Sequence, residues 1–124
     1  AYKEHLDNFD RSRYQIPLII AGGAIAKPMK INLIGTQHDI AATLLGQLGI
    51  KHDDFLFSKN MLSDATPKFA FFTVPDAFGV VTEENSIIYD NKAGKIVYNK
   101  GKKGYNLKRG QAYLQKLYDD ISTK

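Results

Sequence analysis

At 124 residues, with 44% hydrophobic and 24% charged residues, the chain has the size and composition of one globular domain, which excludes wholesale disorder. Its net charge of +4, from 17 basic against 13 acidic residues, permits an anionic partner without demanding nucleic acid. The absence of cysteine excludes a disulfide framework and a thiolate metal site, and no apolar run reaches the roughly 18 residues of a membrane span.

The opening residues, Ala1-Tyr2-Lys3-Glu4-His5-Leu6-Asp7, are polar and lack the apolar stretch of a signal peptide. They read as the middle of a longer protein, and the piece itself is expected to be soluble. Ile16-Pro17-Leu18-Ile19-Ile20-Ala21 is then uninterruptedly apolar and ends at Gly22-Gly23, the pattern of a strand buried on both faces of a parallel sheet. Pro17 falls at its start, where a missing N–H does least harm. The edge of such a strand carries no charge, so if left unpaired it invites self-association. Lys27-Pro28 marks a loop, and residues 31–34 supply a short extended piece.

A helix follows. Thr36 is placed as its N-cap, with Asp39 three positions on as a shorter version of the capping-box acid, its charge lying in the first turn. Ile40, Leu44 and Leu48, with Ala41 and Leu45, recur at the helical period and form one apolar stripe. Gly49 stands where a left-handed residue ends a helix. Residues 51–67, with the pair Phe55-x-Phe57, read as irregular structure with at most a helical turn.

From Lys68 the period changes to two. Residues 69–74, 79–82, 86–89 and 95–98 are four short β-rich runs separated by turn residues, and connections so short make antiparallel neighbours. A linker punctuated by Gly101, Gly104 and Gly110 leads to a last helix over residues 111–122, with Leu114, Leu117, Tyr118 and Ile121 on its apolar face. No internal repeat or low-complexity tract occurs.

Local chemistry is sparse. Adjacent His38 and Asp39 could both ligate a metal, but Asp39 reads as the acid of the helix start and His38 as a surface or first-turn histidine. His52-Asp53-Asp54 lacks a third ligand at a recognisable spacing and reads as a solvated loop. Lys100, Lys102, Lys103, Lys108 and Arg109, with Tyr98 and Tyr105, could contact anionic lipid headgroups or nucleic acid, although flexible lysines between glycines are more simply solvated. Neither glycine cluster has the spacing of a phosphate loop. No catalytic and no metal residue is assigned.

The phrases Ile16-Pro17-Leu18 and Gln37-His38-Asp39-Ile40-Ala41-Ala42-Thr43-Leu44-Leu45-Gly46-Gln47-Leu48-Gly49-Ile50 resemble the carboxy-terminal part of the sulfatase-like branch of the alkaline phosphatase superfamily. In particular they resemble lipoteichoic acid synthase-like phosphoglycerol transferases of the Bacteroides type. Asp7-Asn8-Phe9-Asp10, Arg13-Tyr14, Phe57-Ser58-Lys59-Asn60 and Phe78-Gly79-Val80-Val81-Thr82 extend the likeness in order along the chain. Ala42 departs from the family's usual proline there, and the helix tolerates alanine better.

The resemblance implies a metal-dependent enzyme acting on phosphate or sulfate esters, with lipid-linked glycerol phosphate among the substrates. A divalent Mn or Mg ion would be held by an early Glu, a Thr nucleophile and an Asp-His pair. It also implies a membrane-anchored parent with an extracytoplasmic, periplasmic catalytic domain. No Asp-His-Gly phrase occurs here, so the family's catalytic and metal residues would lie upstream, and no cofactor is expected in this piece. His5, Arg11 and Arg13, near the mouth of such a site, are the weak candidates for contact with an anion.

The expected fold is α/β. Residues 1–66 would be a partial segment of an alkaline phosphatase-like parallel-sheet catalytic domain, and residues 67–124 an antiparallel subdomain of four strands closed by a helix. The expected role is structural, as the C-terminal portion of a sulfatase-like hydrolase or phosphoglycerol transferase whose partner is the remainder of the catalytic domain. The alternative is an independent module binding an anionic polymer or a protein through the sheet and residues 100–109.

Overall fold

The computed structural model describes residues 14–22, 25–102 and 104–124, so His5, Arg11 and Arg13 lie outside the described residues. The chain forms two compact units, Ala1–Asn32 and Leu33–Lys124. In the first, the described residues form neither helix nor strand. The strand expected at residues 16–21 is therefore not present as such. A strand is defined by its ladder, and these residues have none; Ile16, Leu18, Ile19 and Ile20 are all exposed, Ile19 by 84%.

The second unit runs α1 (Asp39–Gln47), β1 (Ala70–Val74), β2 (Ala77–Val81), β3 (Asn85–Asp90), β4 (Lys95–Gly101) and α2 (Asn106–Ser122). The four strands make one antiparallel sheet in sequential order. This is a mixed α/β arrangement of a four-stranded antiparallel sheet followed by a C-terminal helix.

The connections explain the order. Val74 pairs with Ala77 across Pro75 and Asp76, and Asp76 takes a positive φ of 58°, which a short polar side chain tolerates. Between β3 and β4, Asp90 Oδ1 accepts the N–H groups of Lys92 and Ala93 at 2.9 and 2.7 Å, closing the turn locally. Val97 is passed over as the register shifts, with Ile88 opposite Tyr98 and Tyr89 opposite Ile96; this bulge bends β4.

β2 is buried along its whole length. Phe71, Phe78, Val80 and Ile87 form the core cluster, against which Phe69, Tyr89, Leu107, Tyr113 and Leu114 pack. On the other face Phe72 lies over Gly79, whose missing Cβ would fall 2.1 Å from the Phe72 ring.

α2 begins at Asn106 rather than near residue 111, so Gly110 is helical and not part of a linker. The reason is packing: a Cβ at Gly110 would lie 2.2 Å from the Phe78 ring and 2.7 Å from Val80, so the glycine lets the helix backbone settle onto the sheet. Asn106, itself buried, anchors this end by donating through Nδ2 to Asn85 O at 2.9 Å and Asn85 Oδ1 at 3.1 Å. The inner face is Asn106, Gly110, Tyr113, Leu114 and Leu117, whereas the expected face residues Tyr118 and Ile121 are exposed.

α1 also turns a different face inward. Its buried residues are Asp39, Ala42 and Thr43, while Leu44 and Leu48 of the apolar stripe are exposed. It ends in a Schellman arrangement: Gly49 has φ 69°, Gly49 N–H donates to Gly46 O at 3.2 Å and Ile50 N–H to Leu45 O at 2.9 Å.

Candidate functional site

The densest polar cluster is built around Asp39, the first residue of α1, whose side chain is completely buried. An ionised carboxylate survives burial only when paired and hydrogen-bonded, and Asp39 is both. Oδ2 accepts Thr36 N–H at 2.8 Å and the Thr36 hydroxyl at 3.0 Å, and it also meets the Lys59 ammonium. Oδ1 accepts Lys59 N–H at 3.1 Å. Burial works to raise the Asp39 pKa, but the Lys59 ammonium and the Thr36 and Lys59 N–H groups outweigh it and hold the carboxyl below its ordinary value.

The expected capping arrangement is therefore half realised. Asp39 reaches back to the Thr36 N–H as a capping-box acid does. The Thr36 hydroxyl, however, gives its proton to Asp39 instead of accepting from the helix. The helix starts two residues after Thr36's successor Gln37, with His38 at the N-cap position and no side-chain cap bond from it.

Service to the first turns comes from the chain at residues 58–61. Ser58 Oγ accepts Ala42 N–H at 2.9 Å, and Thr43 Oγ1 donates to Asp39 O at 2.7 Å while accepting Met61 N–H at 2.9 Å. Gly46 leaves room for Asn60, whose Nδ2 would be 2.4 Å from a Cβ there. Gly35 does the same for the Met61 sulfur.

His38 links this cluster to α2. Its Nε2 is 2.8 Å from Thr36 Oγ1 and 3.1 Å from the Tyr113 hydroxyl. Tyr113 is itself packed on Phe71, with ring centroids 4.3 Å apart, and edge-on to Phe57 and Phe69. Lys59 lies over the Phe69 ring at 4.7 Å, so the same ammonium serves Asp39 and the sheet's aromatic rim. Burial, with the Asp39 charge, raises the Tyr113 pKa.

Two clefts flank these contacts. One, of about 330 Å³, lies at the start of α2 and is lined by Lys68, Lys102 and Arg109 as well as Glu83 and Glu84. The other, of about 360 Å³, has an apolar floor including Phe55, Leu56 and Phe57, with His38 among its walls and the Asp120–Lys124 ion pair at 2.9 Å beside it.

Every oxygen of Asp39 is already filled by protein donors, and the hydroxyls of Thr36, Thr43 and Ser58 are all engaged. Lys59 is paired. The arrangement is thus a brace that fixes α1. His52, Asp53 and Asp54 remain in a loop and do not join it, and among the described residues no group of three or more His, Cys, Asp or Glu side chains could hold a metal ion. Among the residues of 100–109, Lys102 and Arg109 share the first cleft with two carboxylates.

Sequence reasoning identified His38 and Asp39 but gave Lys59, Thr43 and Tyr113 no role. Thr43 was signalled by its position four residues after Asp39, on the same helical face. Lys59 and Tyr113 lie 20 and 74 residues from Asp39 and carry no local mark. Among the described residues no helix is long and apolar enough to cross a membrane. No protein-family model, no curated protein and no solved structure matches the chain.

Proposed function

We propose that this chain is the C-terminal portion of a metal-dependent sulfatase-like hydrolase or phosphoglycerol transferase acting on phosphate or sulfate esters, and that its own contribution is structural. The observation that carries the reading is where uncovered apolar surface lies. Among the described residues, fifteen of the nineteen large exposed hydrophobics precede residue 66, from Tyr14 to Leu62, and seven of the eight buried core hydrophobics follow it.

That division supports the expected one. The antiparallel sheet and the inner face of α2 cover each other, whereas the described residues of 16–33 and the outer stripe of α1 are left uncovered. The partner proposed is the remainder of the catalytic domain, with residues 16–21 taking their place in its parallel sheet. The nucleophile, the Asp-His pair and the Mn or Mg ion would belong to that remainder, in an extracytoplasmic domain of a membrane-anchored parent. The rival reading, an independent binder of an anionic polymer, has less support because Glu83 and Glu84 stand among the cations of the α2 cleft.

Two measurements test the proposal. The purified chain with Mn²⁺ or Mg²⁺ is expected to leave nitrophenyl phosphate and nitrophenyl sulfate unhydrolysed; turnover abolished by replacing His38 or His52 would overturn the structural role. The coding sequence upstream of Ala1 is expected to encode an Asp-His phrase and a Thr nucleophile, or a Cys or Ser in a formylglycine-type motif for the sulfatase branch. Neither being there would end the enzyme assignment.

A further inference from the structure

We propose that β1 is an interaction edge for a second copy of this chain: two β1 strands pair antiparallel about a two-fold axis at Phe72, joining two sheets into one. The inference does not depend on the enzyme reading and rests on the register, composition and flanking charges of one strand.

Among the described residues β1 stands at an end of the sheet, with β2 on one side and no strand on the other. Unlike β4, whose register shifts at its bulge, β1 pairs without interruption from Ala70 to Val74. Its sequence, Ala-Phe-Phe-Thr-Val, holds no charge, proline or glycine, and Thr73 is exposed. An edge so regular and uncharged offers its outer bonding groups to another strand.

The turn dictates which groups those are. Val74 and Ala77 enclose only Pro75 and Asp76, and a two-residue loop closes on a pair that exchanges its N–H and C=O bonds. Alternation then turns the bonding groups of Val74, Phe72 and Ala70 to β2, and those of Phe71 and Thr73 to the open side. One antiparallel register uses all of the latter: Phe71 of each copy opposite the partner's Thr73, with the two Phe72 residues facing each other as a cross-strand aromatic pair. Moving the two-fold to Phe71 leaves Thr73 and Val74 opposite residues outside the strand. Moving it to Thr73 sets Pro75, which has no N–H, opposite Phe71.

The ends of the favoured register are complementary in charge. Lys68, two residues before β1, falls opposite the partner's Asp76, two residues after it. Lys68 Nζ donates to Met61 O at 2.7 Å and Ser63 O at 2.6 Å, neutral acceptors that occupy two of its three hydrogens. Asp76 is exposed at the turn, and among the described residues neither side chain has an ion-pair partner within its own copy. The two-fold repeats the charge pair at both ends, and because such a contact closes on itself, association stops at two copies.

The test is sedimentation equilibrium of the intact chain carrying Ile19→Lys, so that contact through residues 16–21 is suppressed, combined with amide hydrogen exchange at low and high protein concentration. A monomer–dimer equilibrium is expected, with the Phe71 and Thr73 amides gaining protection as the dimer fills and those facing β2 unchanged. Adding Thr73→Pro removes an outward N–H while sparing the ladder to β2, and should weaken the dimer by at least about tenfold; Thr73→Lys serves if the proline disturbs folding. Asp76→Asn, which tolerates the positive φ of 58°, should weaken the dimer a few-fold and reduce its sensitivity to salt. A chain that stays monomeric, a dimer in which Phe71 and Thr73 gain no protection, or assembly beyond two copies would each overturn the proposal. The exchange measurement decides the matter even if both Thr73 variants misfold.

Discussion

Residues 16–21 and β2 are both short, uninterrupted apolar runs, Ile-Pro-Leu-Ile-Ile-Ala and Ala-Phe-Gly-Val-Val, yet all five residues of β2 are buried and the first run is exposed and without a ladder. Hydrophobicity does not separate them. What separates them is the supply of neighbours: β2 is joined to β1 through two residues and to β3 through three, so both ladders form within the local chain. The front run is followed by Gly22-Gly23 and a loop containing Lys27-Pro28, and a parallel partner demands a crossover of a dozen or more residues.

The same substitution at the two runs breaks this contrast most directly. Val80→Lys puts an unpaired charge at a position with no solvent exposure and should cost more than about 4 kcal/mol, abolishing cooperative unfolding followed by circular dichroism. If Ile19→Lys were equally damaging, the two runs would not differ as described.

α1 adds a third case, a helix held by polar contacts on its inner face. Asp39→Asn leaves the Lys59 ammonium without its counter-charge and should lower stability in urea by about 3 kcal/mol at pH 7; a neutral outcome would reduce Asp39 to a simple helix-start residue. Because the Asp39 pKa is lower in the folded state, its stabilisation is present above the ordinary carboxylate value of about 3.9 and is lost as pH falls below that through the folded value. Urea midpoints of the wild-type chain should accordingly drop in that acid window, and the drop should be smaller in Asp39→Asn.

Thr36→Ala removes one hydroxyl donor to Asp39 but leaves the Thr36 N–H bond, so about 1 kcal/mol is expected from the same unfolding curves. Smallest of all, Ile19→Lys should change the stability of the sheet by less than about 0.5 kcal/mol. Its effect should appear instead in sedimentation, as weaker self-association of the wild-type surface at residues 16–21. A wild-type chain that stays monomeric at all concentrations would remove that surface from consideration.

The contrast also explains what the sequence could say. The meander was legible because its turn signals, Pro75-Asp76, residues 82–84 and Asp90 to Gly94, are local and each closes one ladder. The end of α1 was legible for the same reason, through Gly49. The start of α2 was misplaced because Gly110 looks like punctuation until Phe78 and Val80 are seen beneath it. The inner face of α1 was misread because the periodic leucines point away from the contacts that bury Asp39 and Thr43. Lys59 and Tyr113 reach Asp39 and His38 only through tertiary structure, which no spacing along the chain encodes.

The bulge at Val97 has one more effect. β4 is an outer strand of the sheet, and its exposed rim would otherwise be a template on which further chains could stack. The shift of register twists the strand's outer bonding groups out of line, and Lys95 and Lys100, both exposed, add like charges that any copy laid alongside would have to approach. The irregular register and the like charges at Lys95 and Lys100 together disfavour the addition of a further strand at this edge.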